Sequence, residues 1–189
     1  NVATTIAQAI TIKTNGNQIY QGIVKANNDI VFETQNNNGA ITFLDDVEVK
    51  NGGVFKNITL LKGNITLNET LKANKVVAEG KSFNAKKDVE ANDDFEGKSE
   101  EIKTEGEVKG KKINIFSSCN KFQSNKITAI DNIKVEGHKW ESNGKVETLK
   151  GILVEATCDK WESSGDVKAT ENVEIKGKKW ESSGKVEAK

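Results

Sequence analysis

Proline, methionine and arginine are absent from the sequence, and histidine and tyrosine occur once each. Without arginine, every one of the 28 basic residues is a lysine, so no planar fork exists to grip a carboxylate or phosphate at two points. The lysines are balanced by 28 acidic residues, and a net charge of zero draws the chain to neither nucleic acid nor an anionic membrane. No apolar run approaches the roughly 20 residues that span a bilayer, so no membrane insertion is expected, and no charged start with an apolar stretch marks a signal peptide. The missing initiator methionine leads us to expect a processed or trimmed segment of something larger. Hydrophobic residues make up 35% of the chain, too few for a thick central core.

What the sequence has in place of these is a repeat. "KWESNGKVET" at 139–148 returns as "KWESSGDVKA" at 160–169 and "KWESSGKVEA" at 179–188. Taking the large apolar residue as origin gives Phe83, Ile102, Phe122, Trp140, Trp161 and Trp180, a period of about 19 residues, within the range of solenoids. A second column follows at Val89, Val108, Ile127, Val146, Val167 and Val186, and two residues on lies a small one at Ala91, Gly110, Ala129, Thr148, Ala169 and Ala188.

Within each unit the apolar residues alternate with charged ones. In "GDVKATENVEIKG" Val167, Ala169, Val173 and Ile175 fall on one side and Lys168, Glu174 and Lys176 on the other, with "TEN" at the corner. This is the period of a strand, not of a helix. Short strands in units of about 19 residues cannot close a sheet alone. As turns of a parallel β-helix, each strand pairs with its copies above and below, and like residues stack about 4.8 Å apart.

The expected fold is therefore all-β, a parallel β-solenoid of roughly nine coils, about 45 Å long. Two parts are expected: residues 1–75, Asn/Thr-rich and less regular, and residues 76–189, regular and charged, open at the C-terminal end. The tryptophans read as a packed ladder, favoured over an exposed ligand platform by the small columns beside them. Lysine and glutamate read as outward charges that pair weakly between adjacent coils and oppose edge aggregation.

Few residues suggest chemistry, and no cofactor or metal is implied. Cys119 and Cys158 sit three residues before the ladder origin, in a column that Gly137 and Gly177 fill elsewhere. Two coils apart, near 10 Å, they are too far for a disulfide and read as two free or buried thiols. No CxxC, histidine pair or GGxGxD calcium repeat is present. His138 reads as an exposed turn residue. The acidic pairs Asp45 with Asp46, Asp93 with Asp94, and Glu100 with Glu101 read as solvated corners, although paired carboxylates serve glycoside hydrolysis elsewhere. Three Asn-x-Thr triplets begin at Asn57, Asn64 and Asn68 and read as chance in an Asn/Thr-rich stretch.

"WESSGDVKATENVEIKGKKWESSGKVEA" resembles the haemagglutinin repeats of filamentous haemagglutinin-type, two-partner-secreted exoproteins, and "NQIYQGIVKANNDIVFET" with "GAITFLDDVEV" resembles their strand-rich segments. This sequence departs in using Trp or Phe where those repeats more often have Leu, in its density of Lys and Glu, and in lacking the Asn-Pro motifs of the secretion domain. The resemblance implies a right-handed β-helix shaft on a bacterial surface or secreted, with receptors bound through other regions. The leading expectation is a non-enzymatic structural rod of an adhesin-like exoprotein. Its rival is a self-assembling filament subunit that stacks end to end through Val186 and Ala188, and a polysaccharide-active enzyme is the third reading.

Overall fold

The computed structural model describes residues 4–35 and 38–188, with the side chains of 119–120 and 154–159 outside that description. The described residues contain twenty-two strands and no helix. Parallel strands stack about 19 residues apart in a β-solenoid of about nine turns. Among the described residues no helix is long and apolar enough to cross a membrane.

Each coil has three faces. The short face carries 24–26, 47–49, 71–73, 89–91, 108–110, 127–129, 146–148 and 167–169. The wide face carries segments that begin at Ile10, Ile30, Ile58, Val76, Phe95, Ile113, Ile133, Ile152 and Val173. A third face, the tryptophan face, carries 64–67, 82–85, 101–104, 121–124, 139–142, 160–163 and 179–182. Several strands run round a corner without a break. Asp94–Gly110 and Lys112–Ala129 each cover all three faces, where the sequence suggested separate short strands.

Alternation along each strand sends one set of side chains inward, and the inward set forms a single core. The short-face column Val24, Val47, Leu71, Val89, Val108, Ile127, Val146 and Val167 is at most 2% exposed throughout. Such a core is one side chain deep, which is how 35% hydrophobic residues suffice.

The early coils depart from the period. The coil that begins at Val24 has a longer connection between Thr34 and Ala40. The next carries an antiparallel hairpin in which Val47–Asn51 pairs with Val54–Phe55 round Gly52 and Gly53, both in the left-handed region at φ 54° and 91°. Lys50 Nζ lies 5.0 Å above the Phe55 ring.

The cysteine alignment needs correction. The backbone of Gly137 pairs with Ser117 on one side and Ala156 on the other, not with the cysteines. The register shifts between Ser117 and Phe122, and again between Gly137 and Lys139 against Ala156 and Lys160, because those two neighbouring coils hold extra residues at this corner. Cys119 and Cys158 fall within these insertions. Their side chains, and with them the reading of two free or buried thiols, lie outside the described residues.

Candidate functional site

The motif "KWESSG" can be built residue by residue. Its tryptophan points inward: Trp140 and Trp161 are 1% and 0% exposed. Phe83 pairs with Ile102, Ile102 with Phe122, Phe122 with Trp140, Trp140 with Trp161 and Trp161 with Trp180. The rings stack with centroids 5.5, 4.5 and 5.3 Å apart from Phe122 to Trp180, at interplanar angles of 17°, 1° and 11°. Near-parallel stacking follows from the coil spacing, which sets one ring directly over the next.

The first serine of the motif also points inward and takes the indole hydrogen of the next coil. Trp140 Nε1 donates to Ser124 Oγ at 3.0 Å and Trp161 Nε1 to Ser142 Oγ at 3.4 Å. The motif's glycine is required by close approach. A Cβ on Gly165 would strike the carbonyl of Gly144, and one on Gly184 the carbonyl of Gly165. The branched column is equally continuous: Val89, Val108, Ile127, Val146, Val167 and Val186 pair in turn. At the last coil Trp180 and Val186 are 38% and 39% exposed, and Ala188 is also exposed.

Lysine and glutamate point outward and form a lattice. Lys139, Lys160 and Lys179 stack directly over one another, as do Gln123, Glu141, Glu162 and Glu181. Opposite signs meet along the strand and on the diagonal. Lys139 reaches Glu141 at 2.7 Å and Glu162 at 3.1 Å, and Lys160 reaches Glu162 at 2.6 Å and Glu181 at 2.5 Å. Lys121 closes the series on Glu141. Burial pushes the Glu141 carboxyl up, but hydrogen bonds from Lys121, Lys139 and Gln123 outweigh it and hold it at about 2. Hydrogen bonds from Lys160 and Lys179 hold Glu181 at about 2 as well.

The short face solves the same problem differently. Its outward column reads Lys25, Glu48, Lys72, Glu90, Lys109, Thr128, Glu147, Lys168, Glu187, so neighbouring charges are of opposite sign. Lys72 and Glu90 approach to 3.3 Å. The sequence suggested pairing between adjacent coils, and the wide face also does so directly, Lys13 reaching Glu33 and Lys98 reaching Glu79, each at 3.2 Å.

The residue types suited to chemistry are not brought together. Among the described residues, no three of His, Cys, Asp and Glu are grouped to hold a metal. Asp46 accepts the Thr70 amide at 3.1 Å and is itself bonded through its amide to Asp45, so this pair serves as a corner cap. Asp94 has one buried carboxylate oxygen without a hydrogen-bond partner, while Glu100 and Glu101 are exposed. His138 lies half-buried within the strand Ile133–Ser142 and not in a turn, because the strand continues through Gly137 round the corner.

Two of the three Asn-x-Thr asparagines bond to neighbouring coils in a way that the sequence reading missed, while Asn68 Oδ1 is buried without a hydrogen-bond partner. Asn57 Nδ2 donates to Asp29 and Asn57 Oδ1 accepts from Asn74, while Asn64 Oδ1 accepts from Ser82 Oγ. Their signal was present in the sequence as an Asn or Asp recurring just before each strand.

The outer surface has several recesses: one of about 540 Å³ lies over the wide-face strands at Ile10, Ile30 and Ile58, and another lies at the corner between the wide and tryptophan faces. The corner recess has a volume of about 360 Å³ and is lined by Lys62, Glu79, Gly80, Lys81, Lys98, Ser99, Glu100, Phe116 and Ser118. Comparison with family models, with curated proteins and with solved structures finds no match to this chain.

Proposed function

We propose that this chain is a non-enzymatic structural rod, a shaft segment of a surface or secreted adhesin-like exoprotein that provides reach and display. The observation that carries the reading is the unbroken in-register stacking of the inward columns through the coils, from Val24 to Val186 on the short face. Such a core gives a body that is long for its mass and stiff along its axis, each coil held only by its neighbours. The outward charges are spent largely on one another, which suits a spacer more than a recognition surface. The resemblance of the repeats to filamentous haemagglutinin-type exoproteins supports an extracellular or bacterial-surface setting, with receptor contact made through other regions.

A second reading is a filament subunit that stacks end to end, the in-register parallel pairing that joins each coil to the next being available between molecules as well. Negative-stain electron microscopy across a concentration series separates the two. Short rods near 45 Å at every concentration support the shaft. Fibres that lengthen with concentration overturn it in favour of the filament.

A further inference from the structure

Small residues create the corner recess. Lys62 and Gly63 both occupy the left-handed region, at φ 65° and 68°, and Gly63 packs so closely on Gly39 that a Cβ would meet its carbonyl. One coil on, a Cβ on Gly80 would lie 2.6 Å from the Gly63 carbonyl. Gly80 pairs with Ser99 and Ser99 with Ser117, so the corner column has no bulk for three coils. The register shift between Ser99 and Glu101, where the next coil holds extra residues, widens the lower end.

One feature of this recess, an exposed aromatic ring, is unlike the rest of the surface. Phe116 is 40% exposed, and apart from Trp180 on the last coil it is the only aromatic among the described large hydrophobics that are exposed. It stands in the outward column of the wide face directly after Lys98, which is bound to Glu79 at 3.2 Å. Lys62 is likewise taken by Glu33, at 2.8 Å. Lys81 is exposed and enters no ion pair with the described residues, in a protein whose lysines are mostly paired.

We propose that this recess binds a short anionic saccharide of the uronic acid class, with one pyranose ring against Phe116 and the carboxylate of the next at Lys81. Phe116 lies two coils below Glu79, about 10 Å along the axis, and Lys81 two residues beyond Glu79, about 7 Å along the strand, a span of about 12 Å that two linked pyranose rings and the reach of a lysine cover. The apolar face of a sugar ring suits an exposed aromatic surface, and Glu100 and Ser118 supply acceptors and donors for hydroxyls at the same corner. With Lys62 held by Glu33 and Lys98 by Glu79, Lys81 is the one lining lysine outside an ion pair with the described residues, and it is this side chain, not a net charge of the recess, that favours an acidic ligand over a neutral one. An extended peptide finds no free edge, since the wide-face strands at the recess are paired on both sides. A single aromatic on a chain of zero net charge offers little to a nucleic acid strand.

The inference goes beyond the rod reading and does not require it. Titrating the purified 189-residue chain with digalacturonate, and with neutral galactobiose as counterpart, tests it by calorimetry and by chemical-shift mapping. The expected result is saturable binding of digalacturonate, weakened about tenfold by Phe116→Ala, about 1.4 kcal/mol, and up to about fivefold by Lys81→Ala, the range of an exposed ion pair. Galactobiose should bind more weakly than digalacturonate, and Phe116→Tyr should restore affinity. Because Phe116 and Lys81 point outward, both variants should keep the wild-type circular dichroism and melting curve. No saturation at tens of millimolar ligand, equal affinity for the two sugars, or unchanged binding in Phe116→Ala each overturns the proposal. None of these outcomes bears on the rod reading, which rests on particle length.

Discussion

The coils up to Leu71 and those after Phe122 fill the same cross-section in two ways. On the tryptophan face each strand sends two residues inward. In the early coils these are Ile41 with Phe43 and Ile65 with Leu67; in the late coils they are Trp140 with Ser142 and Trp161 with Ser163. The bulk moves from the second inward position to the first. Its aromatic partners move with it: Tyr20, Phe32 and Phe43 form a mixed cluster with centroids 4.9 to 5.1 Å apart, whereas Phe122 and the three tryptophans form one stack. A one-coil core constrains the sum of neighbouring volumes more than the residue at either position.

That comparison can be broken within a single coil. Trp140→Ile removes bulk from the late arrangement and should cost about 3 kcal/mol, and Ser142→Phe alone overpacks it at a cost of about 1–3 kcal/mol. Combined, they transplant the early arrangement. Their joint cost in urea denaturation should fall at least about 1 kcal/mol below the sum of the singles. Strict additivity would mean that the two positions do not share volume.

A second test concerns charge. Glu141 has a folded-state value of about 2, below its unfolded value, so its contribution is present above the unfolded value and is lost as pH falls through about 2. Its side chain is 19% exposed, so solvent screening limits the effect to about 1 kcal/mol. The urea midpoint of the wild type should therefore drop between about pH 4.5 and 2 by more than that of Glu141→Gln. Parallel curves would show that the late lattice adds nothing to stability.

The smallest effect lies where the two arrangements meet. Thr104 is 3% exposed with an Oγ1 that has no hydrogen-bond partner. It occupies the column of Ser124 and Ser142, which accept from tryptophans one coil on, but the residue placed to donate to it is Phe122. Phe122→Trp should supply the missing N–H and raise stability by about 1 kcal/mol, read as a higher melting temperature. A lower melting temperature would mean that the cross-section at this coil is already full.

These differences explain what could be read in advance. From Phe83 onward the origin and branched residues recur at nearly constant spacing, so alternation and period alone indicated stacked coils and which residues share a column. Before Leu71 the same columns continue through Ile65 and Ile41 to Gln18, but the hairpin at 47–55 and the longer connection after Thr34 spoil the period, and the exchange of bulk hides the origin. The cysteine column was misread because the extra residues lengthen the spacing only to 20 from Ile102 to Phe122 and 21 from Trp140 to Trp161, and a spacing does not say at which corner they fall. The corner recess was not legible at all. It depends on where small residues at Gly63, Gly80 and Ser99 fall relative to a corner, and on Phe116 facing outward at a position no different in sequence from a buried one.

The outward column of the short face gives the molecule a parity. Because its charges alternate, a coil is chemically equivalent to the second coil along and not to the next, so gain or loss of one coil sets like charges in contact while gain or loss of two does not. At Thr128 the alternation slips, with Lys109 before it and Glu147 after it. Its hydroxyl donates to Glu107 at 2.6 Å, and the neutral residue separates two runs that are out of phase. Thr128 is thus the joint at which an odd number of coils fits, and the place where a single coil could be inserted or removed without a clash of charge.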